Sequence, residues 1–217
     1  MLAWVGWALL AAAAAVVLRW LLRRVDALGR ARPFPVFSVA VLLVLAAAAG
    51  VTVYRHDALQ RRLSDVASEL VGHRVRVDCQ TAGQSFVDAT GDLGHVPFQN
   101  GRPSGPALVK LEQCTAIRHY LDDHGRAPTP EQVIAVHVLT HEAMHLAGTL
   151  DEARAECQAM QRDAWTARLL GATPGDAHAL AAGYWRSVYP RMPDGYRSGS
   201  CAAGTDWDEG GSDAPWR

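Results

Sequence analysis

Thr140-His141-Glu142-Ala143-Met144-His145, with Gly148 and the acidic run Asp151-Glu152-Ala153-Arg154-Ala155-Glu156 close behind, is the stretch around which this 217-residue chain is organised. Residues four apart on a helix stand one above the other on the same face. His141 and His145 can therefore aim both imidazoles at one cation while Glu142 leans over its open side. A hydrolytic zinc site needs such an arrangement: three protein ligands, one open position, and a charge that brings the pKa of water near neutrality. His141 and His145 are two candidate ligands for one Zn2+, and Glu142 is the candidate general base. The bland alternative is a helix that carries two histidines and a solvated glutamate.

The flanks read as a helix with defined ends. Thr129 suits an N-cap and Pro130 the first helical position, and Val133, Ile134, Val136, Val138, Leu139 and Leu146 supply apolar contacts along residues 131–147. Gly148 can take the left-handed conformation that ends a helix. Thr149 and Glu152 then form a Thr-x-x-Glu start signal for a second helix over about residues 150–170. The expected result is a tight helical hairpin, with His145 just before the turn and Glu152 just after it. Glu152 and Glu156, four apart, face the same way and compete with Asp151 for the third ligand position. Glu152 could equally complete the helix cap. His137, one turn before His141, reads as a packed helix residue, with an outer role at the site as the alternative. His73, His95, His119, His124 and His178 have no ligand spacing and read as surface residues.

Outward from this centre, the composition points to a compact domain attached to a membrane. Hydrophobic residues make up 49% of the chain and the net charge is -1, which gives no support for a nucleic-acid partner. Residues 2–18 and 36–54 are apolar runs, each long enough, at about 26 to 30 Å as helices, to cross the hydrocarbon core. Five arginines (Arg19, Arg23, Arg24, Arg30, Arg32) lie between them, so the loop of about residues 19–35 is expected in the cytoplasm and the remainder of the chain outside. All four cysteines lie after the second run, which fits two disulfides in an oxidising compartment. Pairing by order along the chain gives Cys79 with Cys114 and Cys157 with Cys201, although the other connectivities stay open.

The expected organisation is two transmembrane helices over 1–54, a juxtamembrane helix over 55–74, an extracytoplasmic domain over 75–201 and a flexible tail over 202–217. Residues 57–71 are amphipathic, suited either to a stalk or to packing on the domain. Residues 75–79, 85–87 and 95–98 are short strand candidates, and residues 107–123 and 174–188 read as helices. The fold class is mainly α with a small β element. A helix at 131–147 containing Gln132, His137, His141, Glu142 and His145 is too polar to face lipid, so the site belongs to the soluble part. Tyr184, Tyr189 and Tyr196 are candidate donors to a tetrahedral oxyanion.

His141-Glu142-x-x-His145 with Glu152-x-x-x-Glu156 resembles the gluzincin metallopeptidases, and the whole arrangement is similar to membrane-anchored HExxH proteins of GC-rich bacteria. The resemblance implies a zincin-like ectodomain that hydrolyses peptide or protein substrates, held to the lipid bilayer by its two helices. It implies Glu152 as the third zinc ligand and Glu156 as the group that steadies a ligand histidine. Glu156 stands where aspartate is commoner in that family, and the interval from His145 is short. His141 to Asp151 also reads HExxHxxGxxD, similar to a metzincin pattern in which Asp151 would bind the metal and Met192 would be the candidate for that family's methionine turn. The alternative from another class is a non-enzymatic cell-envelope binding protein whose metal site is structural or absent.

Overall fold

The structure is a computed structural model that describes residues 2–26, 29–89 and 91–217. It divides into two compact units, residues 1–58 and 59–217. The first holds α1 (Leu2–Leu22) and the beginning of α2 (Val36–Val71). Both helices are long and apolar enough to cross a membrane. Between them, the Trp20 indole donates to the Arg32 carbonyl at 3.1 Å and its ring meets Phe34 edge-on.

The second unit is mainly helical with a small sheet. It contains the end of α2, then β1 (Val77–Cys79), α3 (Ala82–Val87), β2 (Gly94–His95), β3 (Phe98–Gln99), β4 (Arg102–Pro103) and β5 (Ala107–Val109). These are followed by α4 (Leu111–Asp122), α5 (Pro130–Leu146), α6 (Glu152–Met160), α7 (Asp163–Leu169) and α8 (Pro174–Ser187). The sheet order is β1-β5-β2, with β1 parallel and β2 antiparallel to the central β5, while β3 and β4 form a separate hairpin.

The amphipathic stretch after residue 57 packs on the domain. Leu59, Leu63, Val66, Ala67 and Leu70 are all buried in the core of the second unit. The adjoining stripe of the same helix serves the outer edge of the sheet. Gln60 Oε1, Ser64 Oγ and Ser68 Oγ accept the backbone N–H groups of Cys79, Val77 and Val75 at 2.8, 2.9 and 3.0 Å. Four residues of helix rise about 6.0 Å and two residues of strand about 6.6 Å, so the two repeats run nearly in step. Helix side chains thus satisfy donors that a neighbouring strand would otherwise take.

Three local expectations differ. Residues 85–87 belong to α3, because Thr81 and Gln84 form a capping box that nucleates a helix there. The helix expected from 107 begins at Leu111, since residues 107–109 are the central strand. The helix expected over 150–170 is two helices, α6 and α7, broken where the Gln161 side chain turns inward to the carbonyls of Cys157 and Trp207.

The disulfides join Cys79 to Cys114 and Cys157 to Cys201, the pairing by order along the chain. The terminal segment, expected to be mobile, packs Trp207 and Trp216 against the cluster around Cys157, Tyr184 and Tyr189. It is also tied down by a two-pronged Arg168–Asp213 ion pair at 2.8 and 2.7 Å.

Candidate metal centre

The central helix α5 has the ends read from the sequence. Thr129 and Gln132 form a reciprocal capping box, Pro130 is at the first turn, and Gly148, at φ +101°, reverses the chain. α5 runs through the core, and from Ala135 to Leu146 every residue is buried. Burial is what makes its polar residues informative, because His137, Thr140, His141, Glu142 and His145 must each find a partner or a task.

His145 Nδ1 lies 2.7 Å from the Thr149 carbonyl, which can only accept, so Nδ1 carries the hydrogen and Nε2 presents its lone pair. His141 Nδ1 lies 3.1 Å from Glu156 Oε2, which by the same logic leaves its Nε2 as the outward nitrogen. The two Nε2 atoms are 2.9 Å apart, and Glu152 Oε2 is 3.1 Å from one and 3.3 Å from the other. Three acceptor atoms therefore converge on one point. His141 and His145 are buried and Glu152 is half-exposed, so the group opens towards solvent on one side. These residues could hold a metal ion. The His137, His141 and Glu156 atoms also lie close together, but there His141 contributes its hydrogen-bearing nitrogen. That set is a hydrogen-bond chain.

Glu156 is gripped by three donors: His141, His137 at 3.0 Å on Oε2, and the Tyr184 hydroxyl at 2.7 Å on Oε1. Burial pushes its carboxyl up, but the His137 charge and the histidine hydrogen bonds outweigh this and hold it well below the usual range. Hydrogen bonds from His141 and His145 bring Glu152 down to about 2. Burial lowers His141, yet its bonds to Glu152 and Glu156 prevail and raise it to about 9. A proton would thus compete with any cation for the same Nε2 lone pair.

Glu142 lies beside this group. Burial, opposed by the charges of His141 and His145, lifts its carboxyl to about 7, within reach of a proton-transfer role near neutral pH. Its Oε2 is buried without a hydrogen-bond partner among the described residues. Gly94 of β2 makes room for this side chain: a Cβ there would stand 2.8 Å from Glu142 Oε1. A cleft of about 650 Å³ opens over the group, walled by Gly94 of the sheet edge, Val96 just after it, Phe98 of the hairpin and Met192, Pro193 and Tyr196 of the later chain.

The remaining candidates separate cleanly. Asp151 caps α6, accepting from the Arg154 N–H at 2.8 Å, and does not join the converging atoms. Thr149, expected to cap that helix, instead donates to Gln158 and offers its carbonyl to His145. The Tyr184 hydroxyl is committed to Glu156, and Tyr189 accepts the Ser198 N–H. Tyr196 is left in the cleft wall, its ring centroid 5.8 Å from that of His141 and its hydroxyl pK raised by burial and the charges of Glu152, Asp92 and Glu142. Met192 is in the same wall, on the segment that carries Tyr196. His73, His95, His119, His124 and His178 are exposed.

Sequence reasoning missed Gly94 and Asp163, and it weighed His137 chiefly as packing. His137 does pack, stacked on Tyr184 at 3.6 Å, but both its nitrogens also face carboxylates. A histidine one turn before His141 was the available signal. For Gly94 and Asp163 there was none, since their importance comes from what the fold brings opposite them. No protein-family model matches the chain, and no curated protein or solved structure does.

Proposed function

We propose that the chain is a membrane-anchored, extracytoplasmic zinc-dependent metallopeptidase of the gluzincin-like HExxH type. His141, His145 and Glu152 would be the zinc ligands, Glu142 the general base, and Glu156 the partner that fixes His141. The carrying observation is the meeting of His141 Nε2, His145 Nε2 and Glu152 Oε2 within 2.9–3.3 Å of one another. Tetrahedral zinc with ligand bonds of about 2.0–2.1 Å separates its ligands by about 3.3 Å, and it favours such mixed nitrogen and oxygen sets. Bound there, the ion would supply Lewis-acid polarisation of a carbonyl and activation of water.

The chain's own residues fit the rest of peptide hydrolysis. Glu142, with an unpartnered buried oxygen and a pKa near neutrality, can accept a proton from the attacking water and return it to the departing amine. Tyr196 can donate a hydrogen bond to the oxyanion that develops in the cleft. β2 is an edge strand bordering the cleft, so an extended peptide can add to it through main-chain hydrogen bonds. α1 and α2 supply the anchor, the arginine-rich loop faces the cytoplasm, and the disulfide-bonded unit lies outside.

The test is zinc content and peptide hydrolysis of the full-length protein in detergent. Wild type is expected to hold one equivalent of zinc, lost in His145→Ala and Glu152→Ala and retained in Asp151→Ala. Glu142→Gln should keep the metal and lose hydrolysis by about a hundredfold or more. Retention of zinc in Glu152→Ala with loss in Asp151→Ala would replace the ligand set with the metzincin-like one. A folded wild type that takes up no zinc would overturn the peptidase reading.

A further inference from the structure

Beneath the three converging acceptors lies a second layer that general-base chemistry does not use. His137 is buried, with Nδ1 2.8 Å from Asp163 Oδ2 and Nε2 3.0 Å from Glu156 Oε2. Asp163 and Glu156 are themselves among the most buried residues of the domain. A neutral imidazole has one N–H, so it could donate to only one of these carboxylates and would turn a lone pair on the other. Between two ionised carboxylates the doubly protonated ring satisfies both contacts, and its single positive charge balances part of the negative charge sealed in with it. The ring is also stacked on Tyr184, whose hydroxyl donates to the other oxygen of Glu156. Every bond in this cluster therefore bears on the position of one carboxylate, and that carboxylate receives the Nδ1 hydrogen of His141.

We infer that His137, held by Asp163, is a positioning residue for the metal centre: as an imidazolium it fixes the Glu156 carboxylate, which fixes the ring of His141 and so the direction of its Nε2 lone pair. This rests on the zinc reading above and extends the site to a layer that touches no ligand atom. α5 then contributes His137, His141 and His145 at successive turns, the last two facing the cation and the first facing the anions that orient them. Partners one layer removed from a metal, the place of Glu156 here, commonly change its affinity by about ten- to a hundredfold, and His137 acts one step further out, through that carboxylate.

The experiment uses full-length protein in detergent, with zinc affinity measured by chelator competition and the visible spectrum of the Co2+-substituted protein recorded alongside. His137→Phe keeps a flat ring against Tyr184 and removes both donors. A folded His137→Phe protein is expected to bind zinc several-fold to about tenfold more weakly and to show a displaced Co2+ spectrum. His137→Gln, which retains one amide donor towards Glu156, should recover part of both. Asp163→Asn preserves shape and keeps the inference testable if His137→Phe does not fold; its zinc affinity should move in the same direction. Wild-type affinity and Co2+ spectrum in a folded His137→Phe or Asp163→Asn protein would overturn the positioning role while leaving the zinc site standing. Absence of zinc from wild type would overturn both.

Discussion

At the scale of single residues, the contact between Glu142 and Gly94 is the most sharply constrained at the candidate site. A Cβ at position 94 would lie 2.8 Å from Glu142 Oε1 and 3.0 Å from Cγ and Cδ, closer than such atoms pack. Gly94→Ala is therefore expected to displace the carboxylate and reduce hydrolysis by about tenfold or more, with zinc content unchanged because no ligand is on β2. Assay of both quantities on one preparation checks this, and unimpaired hydrolysis would mean that Glu142 does not act from this position. A second prediction follows from His141. Burial lowers it and the bonds to Glu152 and Glu156 raise it, with the net result a pKa of about 9 against the ordinary 6.5. Below pH 9 the proton occupies the nitrogen that a metal needs, so the apparent zinc affinity should weaken as pH falls, by about tenfold per unit, with about one proton released per ion at pH 7. Calorimetry in two buffers of different ionisation enthalpy reads that proton directly. His141, Glu142, His145 and Glu152 were legible because the helical repeat brings chosen residue types onto one face. Gly94, Asp163 and the true duty of Tyr184 were not, because each is defined by a partner at least 26 positions away that only the fold supplies.

At the scale of elements, what could be read from the chain was whatever carried its own end signals. α5 begins and ends where Thr129, Pro130 and Gly148 say it should, and α8 begins at the Thr173-Pro174 pair. The β5–α4 junction and the break between α6 and α7 have no glycine or proline to mark them, and both arise from pairing and burial that local propensity does not see. The least readable feature is the helix-to-strand seam, where Gln60, Ser64 and Ser68 look like ordinary polar residues of an amphipathic helix. Ser64 is its centre, accepting the Val77 N–H at 2.9 Å beside a strand whose residue 77 is fully buried. Ser64→Ala leaves that donor without a partner and is expected to cost about 1–3 kcal/mol. Chemical denaturation should register the loss, while zinc affinity stays within error because the seam lies across the sheet from β2. No change in stability would imply that another acceptor, such as water, already serves Val77.

At the scale of the whole molecule, the two apolar helices and the confinement of all four cysteines to the later chain were legible from composition alone, and they argue for the same placement by independent physics. The two disulfides do different work. Cys79–Cys114 ties the first strand of the sheet to α4, within the core. Cys157 follows Glu156 directly on α6, and Cys201 lies five positions after Tyr196, so the second bond fastens the cleft wall of Met192, Pro193 and Tyr196 to the helix that carries Glu152. The chain-entropy relation gives each bond, closing 35 or 44 residues, a stabilisation of about 4 kcal/mol. Stability alone would not distinguish them, but their consequences at the site should. Replacing Cys157 and Cys201 together by serine frees the wall without touching His141, His145 or Glu152, all of which are held by α5, α6 and the Gly148 turn. Zinc affinity should then change by less than about threefold while hydrolysis falls by about tenfold or more, because on the proposed mechanism Tyr196 would no longer be held where it can donate to the substrate oxyanion. The corresponding Cys79 and Cys114 double replacement should lower thermal stability comparably and leave the activity of the molecules that remain folded close to wild type. Equal loss of activity in both variants at a temperature where both are folded would remove the wall of Met192, Pro193 and Tyr196 from the proposed catalytic apparatus.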